Sequence, residues 1–512
     1  MLLNILLKHE ILNLLKNRRI YTAMIIFILL FASIFIVRVV DFQHQINLYL
    51  ADVRDTEKDW LEAPNYSYLN PRAIKMPSVF SIYNQGFTFA RVINIEFYEA
   101  IDSSEVKNEA YNRVFRMNQQ MDITFLITFL LSLFALLISY DIINGEKNTG
   151  TLRLLMTFPI KRANYILKKI LGAFLFVAFV FTLPYLMSLV SLIFIYSNLL
   201  TANFFLSAFF YWFLVLLFIF FFCLLGTLIS CLTTDSSRSL VYALLAWVML
   251  CIILPTGYDQ IMTPRLYDNS ILQLQQVRRD KVMQARNIFS NPPEDADPTT
   301  VEYMVMTGDW FYRLSIWSFT ETHEQRYRFQ RYLHDYYFPV AKEVEMATDD
   351  IIRKQINIEN TRNVIFFFNP IVLFRDISMK IAGNSRFNYL KYLQDVREIR
   401  NDLVNIGRRD GWLFDYRFSA MFTEKDMFGS FGDWEHKFAT TNFDDLYAEV
   451  MILMDAAEPF SFDRPDVRRY EQSNLSVLEI FAQIIPVLSI FVLSILALWT
   501  VTWLKFMKYD LR

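Results

Sequence analysis

Phe204–Leu232 reads FFLSAFFYWFLVLLFIFFFCLLGTLISCL and contains no Asp, Glu, Lys or Arg. A helix needs ~20 apolar residues to cross the hydrocarbon core of a bilayer, and this run exceeds that length. Working outward from it, five more runs are apolar enough to cross: Ile20–Val37, Ile123–Tyr140, Ile170–Tyr196, Leu240–Gly257 and Leu478–Leu504. Their only charge is Glu479, at the edge of the last. Buried helices of a soluble core would show polar faces and shorter lengths, so the six runs predict membrane spans. Pro184 and Pro486 lie inside the third and sixth, where each removes a backbone donor and predicts a kink. The first run follows an amphipathic stretch and lacks a small-residue cleavage site, unlike a secretory signal. The bulk composition agrees: of 512 residues, 54% are hydrophobic and 20% charged, with 49 Phe and 12 Gly. Ordinary soluble proteins carry ~25% charge.

Lysine and arginine near span ends set orientation. Lys8, Lys16, Arg18 and Arg19 precede the first span. Lys147, Arg153, Lys161, Arg162, Lys168 and Lys169 lie between the second and third, and Lys505, Lys508 and Arg512 follow the sixth. Residues 197–203 carry none. Both termini are therefore expected in the cytoplasm of a bacterial cell, with the chain in the inner membrane. The expected order is a cytoplasmic interfacial helix (1–19), span one (20–40), an outer segment (41–121), span two (122–140), a cytoplasmic segment (141–169), and span three (170–197). Spans four (204–232) and five (239–257) follow, then a second outer segment (258–476), span six (477–504) and a cytoplasmic tail (505–512).

The net charge of −2 hides a separation. Residues 258–476 hold 27 basic and 34 acidic residues, and residues 41–121 hold 8 and 11. A basic inner rim suits anionic lipid headgroups, and acidic outer parts give no support to nucleic-acid binding. Cys223, Cys231 and Cys251 all fall in or beside spans, so no disulfide staples the outer part, whose core must be hydrophobic.

The outer pattern is mainly helical. Ile271–Phe289 has an apolar stripe and is broken by Asn291-Pro292-Pro293. His323–Ile358 reads as a long aromatic helix interrupted near Pro339. Arg386–Ile406 repeats Phe387, Leu390, Leu393, Val396 and Ile399 at three-residue steps, an amphipathic face that Gly407, then Asp410-Gly411, is expected to end. Pro64–Pro77 reads as extended, and a helix from about Asn94 is expected to run into span two. The two outer segments are expected to pack as one domain. The fold class is thus an all-α polytopic membrane protein: six transmembrane helices with a large, mainly helical extracytoplasmic domain.

Several chemistries are excluded by what the sequence lacks. His9, His44, His323, His334 and His436 show no metal-ligand spacing, and no G-x-S-x-G elbow or nucleophile–base pattern supports an outer-facing hydrolase. Gly145 and Gly150 have the spacing of a phosphate-binding loop, but Thr151-Leu152 stands where Lys-Ser/Thr is required. No cofactor is expected on this chain. Charge at mid-span is also missing, and an ion-coupled carrier would need it.

The remaining signal lies in Tyr140–Lys169, YDIINGEKNTGTLRLLMTFPIKRANYILKK. Thr149 or Thr151 is placed to cap a short helix and Pro159 to end it. Leu152, Leu154 and Leu155 give it an apolar side, and Arg153, Lys161 and Arg162 supply charge. Taken alone, this is an amphipathic helix on the cytoplasmic rim, and an interfacial membrane anchor would look the same.

Glu146, then Gly150-Thr151-Leu152-Arg153-Leu154-Leu155, then Pro159-Ile160 with Arg162, and Lys168 or Lys169 opening the next helix, resembles the coupling-helix signature of type-2, exporter-class ABC transporter permeases. The amino-terminal LLKHEILNLLKNRR is similar to that family's interfacial elbow helix, with Glu10 at the acidic position and Arg18-Arg19 before the first span. The large outer insertions resemble the branch related to the nitrous-oxide-reductase maturation and gliding-motility permeases. Pro370 after Asn369, then Gly383-Asn384 and Phe387, resembles a motif of that branch. Here Gly383 is expected to make a turn and Asn384 to cap the following helix.

The resemblance implies a dimer of membrane halves, the second a copy or a related permease, served by separate cytoplasmic ATPase subunits that hold the ATP and Mg. It implies that Glu146–Pro159 docks on the ATPase, with Leu152, Leu154 and Leu155 in apolar contact and Glu146 and Arg153 in polar pairs. Two functions remain: export of a lipid, glycan, peptide or other substrate, or mechanical transmission to a periplasmic partner.

Overall fold

A computed structural model describes residues 14, 18–62, 72–86, 92–94, 122–157, 161–255, 269–291, 299–307, 310–318, 335–336, 339–340, 342–344, 346–351, 353–354, 369–409 and 477–508. Among these, six helices are long and apolar enough to cross a membrane. The first, α1, runs unbroken from Arg18 to Glu62 over 45 residues. At 1.5 Å per residue it is about 67 Å long, against about 40–45 Å for a bilayer with its headgroups. Span one was expected to stop near residue 40. The helix continues because nothing between Asp41 and Glu62 breaks it: the segment has no Gly or Pro, and Gln43, Gln45, Leu48, Leu50, Ala51, Arg54, Glu57 and Lys58 are good helix formers.

After α1 come β1 (Arg72–Ile74), a 3-10 turn (Val79–Ile82) and β2 (Val92–Asn94), with β1 and β2 paired antiparallel. The helix expected from about Asn94 into span two is not what the described ends show: Asn94 closes β2, and Asp122, in extended backbone, caps a helix that starts afresh at Ile123 by accepting from the Phe125 amide, while residues 95–121 lie outside the described residues. Span two, α2, comprises Ile123–Leu126, a π segment Ile127–Leu131 and Ser132–Ser139. Two short helices follow, α3 (Asn144–Asn148) and α4 (Thr151–Met156). Then come α5 (Arg162–Tyr196), α6 (Ala202–Leu232) and α7 (Ser236–Val248), the last continuing into a π segment at Met249–Ile253. Pro184 sits within a continuous α5.

The outer part beyond α7 has α8 (Asn269–Ser290) and a hairpin of β3 (Thr299–Thr307) and β4 (Trp310–Ser318). Of the predicted helix His323–Ile358, most residues from 339 to 354 are described and helical, and 319–334 lie outside the described residues. Then come α9 (Pro370–Ile381), α10 (Arg386–Arg409) and the last span, α11 (Val477–Met507), continuous through Pro486. α10 passes through Gly407 rather than ending there. One glycine costs a helix about 1 kcal/mol, which the amphipathic face of the preceding turns offsets. The architecture is mainly helical, with two small antiparallel ribbons added.

The bundle has a centre and a periphery. The apolar windows of α2, α5 and α6 are 67%, 56% and 67% buried, against 22%, 17% and 17% for α1, α7 and α11. Close approach holds the centre: a Cβ on Gly226 of α6 would run into the Ser139 hydroxyl of α2. α5 and α6 are tied by Tyr185 donating to the Ala208 carbonyl at 2.8 Å and by the Trp212 indole donating to Thr182 at 3.0 Å.

Helix α9 belongs to this bundle rather than to a separate outer core. Asn369 caps it, accepting from the Ile371 amide at 3.0 Å while donating to the Leu250 carbonyl in the π segment after α7. Phe374 is fully buried and stacks on Phe218, at mid-length of α6, with ring centroids 4.4 Å apart. Pro370 takes the first helical position, where its missing amide costs nothing.

At its end Gly383 adopts φ +71, the Gly383 amide donates to Lys380 O and the Asn384 amide to Met379 O, which is a Schellman closure. The turn expected of Gly383 is therefore present. The following cap is not Asn384: Ser385 accepts from the Asn388 amide at 3.4 Å, while the Asn384 side chain donates to Asn84 O at 3.2 Å. The demand of a distant backbone carbonyl outweighs the local cap, and the adjacent serine fills it. Phe387 lies in α10.

Candidate functional site

The inner segment folds as a compact hairpin of α3 and α4 about Gly150. Gly150 has φ +74, a left-handed conformation open to glycine at little cost, with no atom within 4 Å of where a Cβ would sit. It occupies the N-cap of α4, so neither Thr149 nor Thr151 caps that helix. Thr149 instead ends α3, and both hydroxyls turn back toward α3: Thr149 donates to Gly145 O at 3.0 Å and Thr151 to Glu146 O at 3.2 Å.

Two sets of bonds fasten the hairpin to the spans. On one side, Ser230 of α6 accepts from the amides of Ile143 and Asn144 at 3.1 and 3.2 Å. The Asn144 amide group donates to Thr233 at 2.6 Å, Asn148 donates to Ser236 at 3.1 Å, and Ser236 also donates to Asp141. On the other side, the half-buried Glu146 carboxylate pairs with Lys169 and accepts from the Tyr165 hydroxyl. The Tyr165 ring stacks on Phe506 of α11 at 5.9 Å, and Arg162 donates to the Met507 carbonyl at 3.2 Å. The hairpin is thus joined to α2, α5, α6 and, through Ser236, α7, and the start of α5 is joined to α11.

This arrangement divides the expected contact residues. Leu152 is 1% exposed and packs into the core of the chain, and Leu155 is half-buried against the same core. Leu154 is 64% exposed, and Thr151, Arg153 and Thr157 are exposed beside it. Leu152 and Glu146 therefore hold the hairpin in place instead of facing outward. A leucine beside the helix cap and a carboxylate within reach of a lysine on the next helix find their lowest energy inside the chain. Pro159 and Glu10 lie outside the described residues. Arg18 is exposed at the start of α1, and Arg19 is the second residue of that helix. Pro370 opens α9, and Gly383 and Asn384 form the turn after its end.

Sequence reading missed the Ser230, Thr233 and Ser236 side of the clasp, and Tyr165. A signal was present: the apolar run of span four ends in Ser-Cys-Leu-Thr-Thr-Asp-Ser-Ser, a cluster of small hydroxyl side chains placed to satisfy a neighbouring backbone.

The family model of the ABC-2 family transporter proteins matches residues 4–400. The chain belongs to the ABC-2 transporter family. The match takes in the first five spans, the hairpin and most of the outer part. Two curated proteins are similar over a shorter stretch. The probable ABC transporter permease protein NosY of Pseudomonas aeruginosa PAO1 is 52% identical over 50 residues, covering 10% of this chain and 18% of that protein. Its namesake from Stutzerimonas stutzeri is 51% identical over 47 residues, covering 9% and 17%. The matched stretch thus spans less than a fifth of either relative. As an ABC-2 family chain, this is a multi-pass membrane protein, and its hairpin lies within the family match.

Proposed function

We propose that this chain is the membrane subunit of an ATP-driven ABC transporter, with ATP and Mg held by a separate cytoplasmic ATPase that docks on the α3–α4 hairpin. One observation carries the reading: a short helix fastened to four spans yet presenting Leu154, Arg153 and Thr151 outward. Such a surface takes up force from a partner and passes it to the bundle. An interfacial lipid anchor would turn its leucines together toward one face, whereas here Leu152 is buried in the chain and Leu154 points away. The work done is export of a lipid, glycan, peptide or other substrate between this chain and a second permease half, in the inner membrane with both termini cytoplasmic. The basic inner rim lies against anionic lipids.

A second reading, transmission to a periplasmic protein without translocation, is favoured by α1, which extends about 25 Å past a bilayer's thickness. The test is reconstitution with the ATPase that co-purifies. Leu154→Asp is expected to lower ATP turnover and ATPase capture by about tenfold or more, the effect of roughly 1.4 kcal/mol lost from an apolar contact. Unchanged capture and turnover would remove the docking role.

A further inference from the structure

Outside the hairpin, a strap of the first outer segment, Ser78–Gly86, makes a cluster of buried polar contacts. Val79, Phe80, Ser81, Ile82, Tyr83 and Asn84 are all buried. The Tyr83 hydroxyl shares a 2.8 Å bond with Ser188 of α5. The Tyr83 carbonyl accepts from the amide and the hydroxyl of Thr124 on α2, both at 3.1 Å, and that hydroxyl also meets the Tyr211 hydroxyl of α6 at 3.0 Å. Phe80 packs edge-on against Tyr211, ring centroids 5.4 Å apart. Arg38 of α1 donates to Ser81 O at 3.0 Å, and the Gln85 amide donates to Asp122 at 3.2 Å.

The strap's far side reaches the second outer segment. Asn84 donates to Ser378 of α9 at 2.6 Å and accepts from Asn384 at 3.2 Å. Gly86 has φ +57, and a Cβ there would lie 2.8 Å from that of Asn384, so the two backbones touch. Just upstream, Tyr392 of α10 donates to Ala73 O at 2.8 Å.

The same three central helices, α2, α5 and α6, hold the hairpin at one end and the strap at the other. At the hairpin end the contacts are Ser139–Tyr140 leading into α3, Lys169 of α5 and Ser230 of α6. At the strap end they are Thr124, Ser188 and Tyr211. We propose that the Ser78–Gly86 strap is the output joint of the molecule: a fixed coupling that carries movement of the α2–α5–α6 block to the outer helices α9 and α10. This rests on the hairpin being the input, as proposed above. A closely packed, hydrogen-bonded block moves as a unit because its packing has discrete arrangements and does not deform continuously. Removing the joint should therefore separate the two ends, which is the coupling measurement such a proposal requires.

The experiment is hydrogen exchange on the full chain with its ATPase in lipid nanodiscs, comparing nucleotide-free with vanadate-trapped states. In the unmodified complex, exchange is expected to change both in residues 144–156 and in 386–409. The loosened variant Tyr83→Phe/Asn84→Ala should reduce the 386–409 response about threefold or more while leaving the 144–156 response and ATPase capture in place. As a second variant, Asn84→Cys/Ser378→Cys, oxidised to a disulfide, should keep turnover within about twofold, since the joint does not open. An outer response that survives loosening, or one absent from the unmodified complex, overturns the joint. So does a disulfide that arrests turnover until reduced, which would make the strap a gate. Failure of the unmodified chain to capture an ATPase is a separate readout and overturns the hairpin's role instead.

Discussion

Glu146 and Lys169 show how a residue in a recognised motif can serve a structural purpose. Their side chains are 20% and 11% exposed and pair across 23 positions of sequence. Removing one partner strands the other in a half-buried site, whereas removing both leaves little charge to solvate. Glu146→Ala is expected to destabilise the solubilised protein more than Glu146→Ala/Lys169→Met, with a coupling energy of about 1–2 kcal/mol in a double-mutant thermal-melt cycle. Strict additivity would show that the pair holds nothing.

Lys75, beside β1, gives a pH-dependent case. Burial lowers its ammonium from 10.5 to about 7. Below pH 7 the folded chain carries a buried cation and the cost is fully present. Between pH 7 and 10.5 the folded state sheds its proton while the unfolded state keeps it, so stability rises with pH. Lys75→Met should therefore raise the melting temperature most at or below pH 7, with a gain that shrinks toward pH 10. A gain equal at every pH would contradict burial as the cause.

At the scale of elements, legibility followed length. Six runs of membrane length were readable because hydropathy needs no knowledge of partners. The outer helices α8 and α10 were readable from their stripes. The shorter elements were not. α9 is 12 residues long, too short to register as a span, and its apolar face is matched by Phe218, about 150 positions away in sequence. The Val79–Ile82 turn has no periodicity, and all its partners are remote. Of the hairpin, its position, its glycine and its leucines were legible. Which leucine faced outward was not, because that depends on how α4 settles against the core of the chain.

Gly150 isolates this element. Forcing a side chain into left-handed backbone costs about 1–2 kcal/mol, and there is open space around the site. Gly150→Ala should therefore weaken ATPase affinity by about tenfold without moving the melting temperature of the spans. Affinity measured by biolayer interferometry and melting by tryptophan fluorescence would check both halves. Unchanged affinity would mean that the hairpin tolerates a different turn.

For the whole molecule, a central block of α2, α5 and α6 carries the hairpin at one end and the strap at the other. α1, α7 and α11 lie outside that block with much of their apolar surface exposed. The near-neutral total charge resolves into basic residues around the hairpin and net-acidic segments at 41–121 and 258–476. The central claim is that the outward face of α4 meets the ATPase. The most direct measurement is site-specific photo-crosslinking in native membranes, with a photoreactive residue at Leu154 in one sample and at Leu152 in another. An ATPase-sized adduct, identified by peptide mass spectrometry, is expected from position 154 and not from the buried position 152. Adducts with lipid alone at position 154, and none with an ATPase, would contradict it.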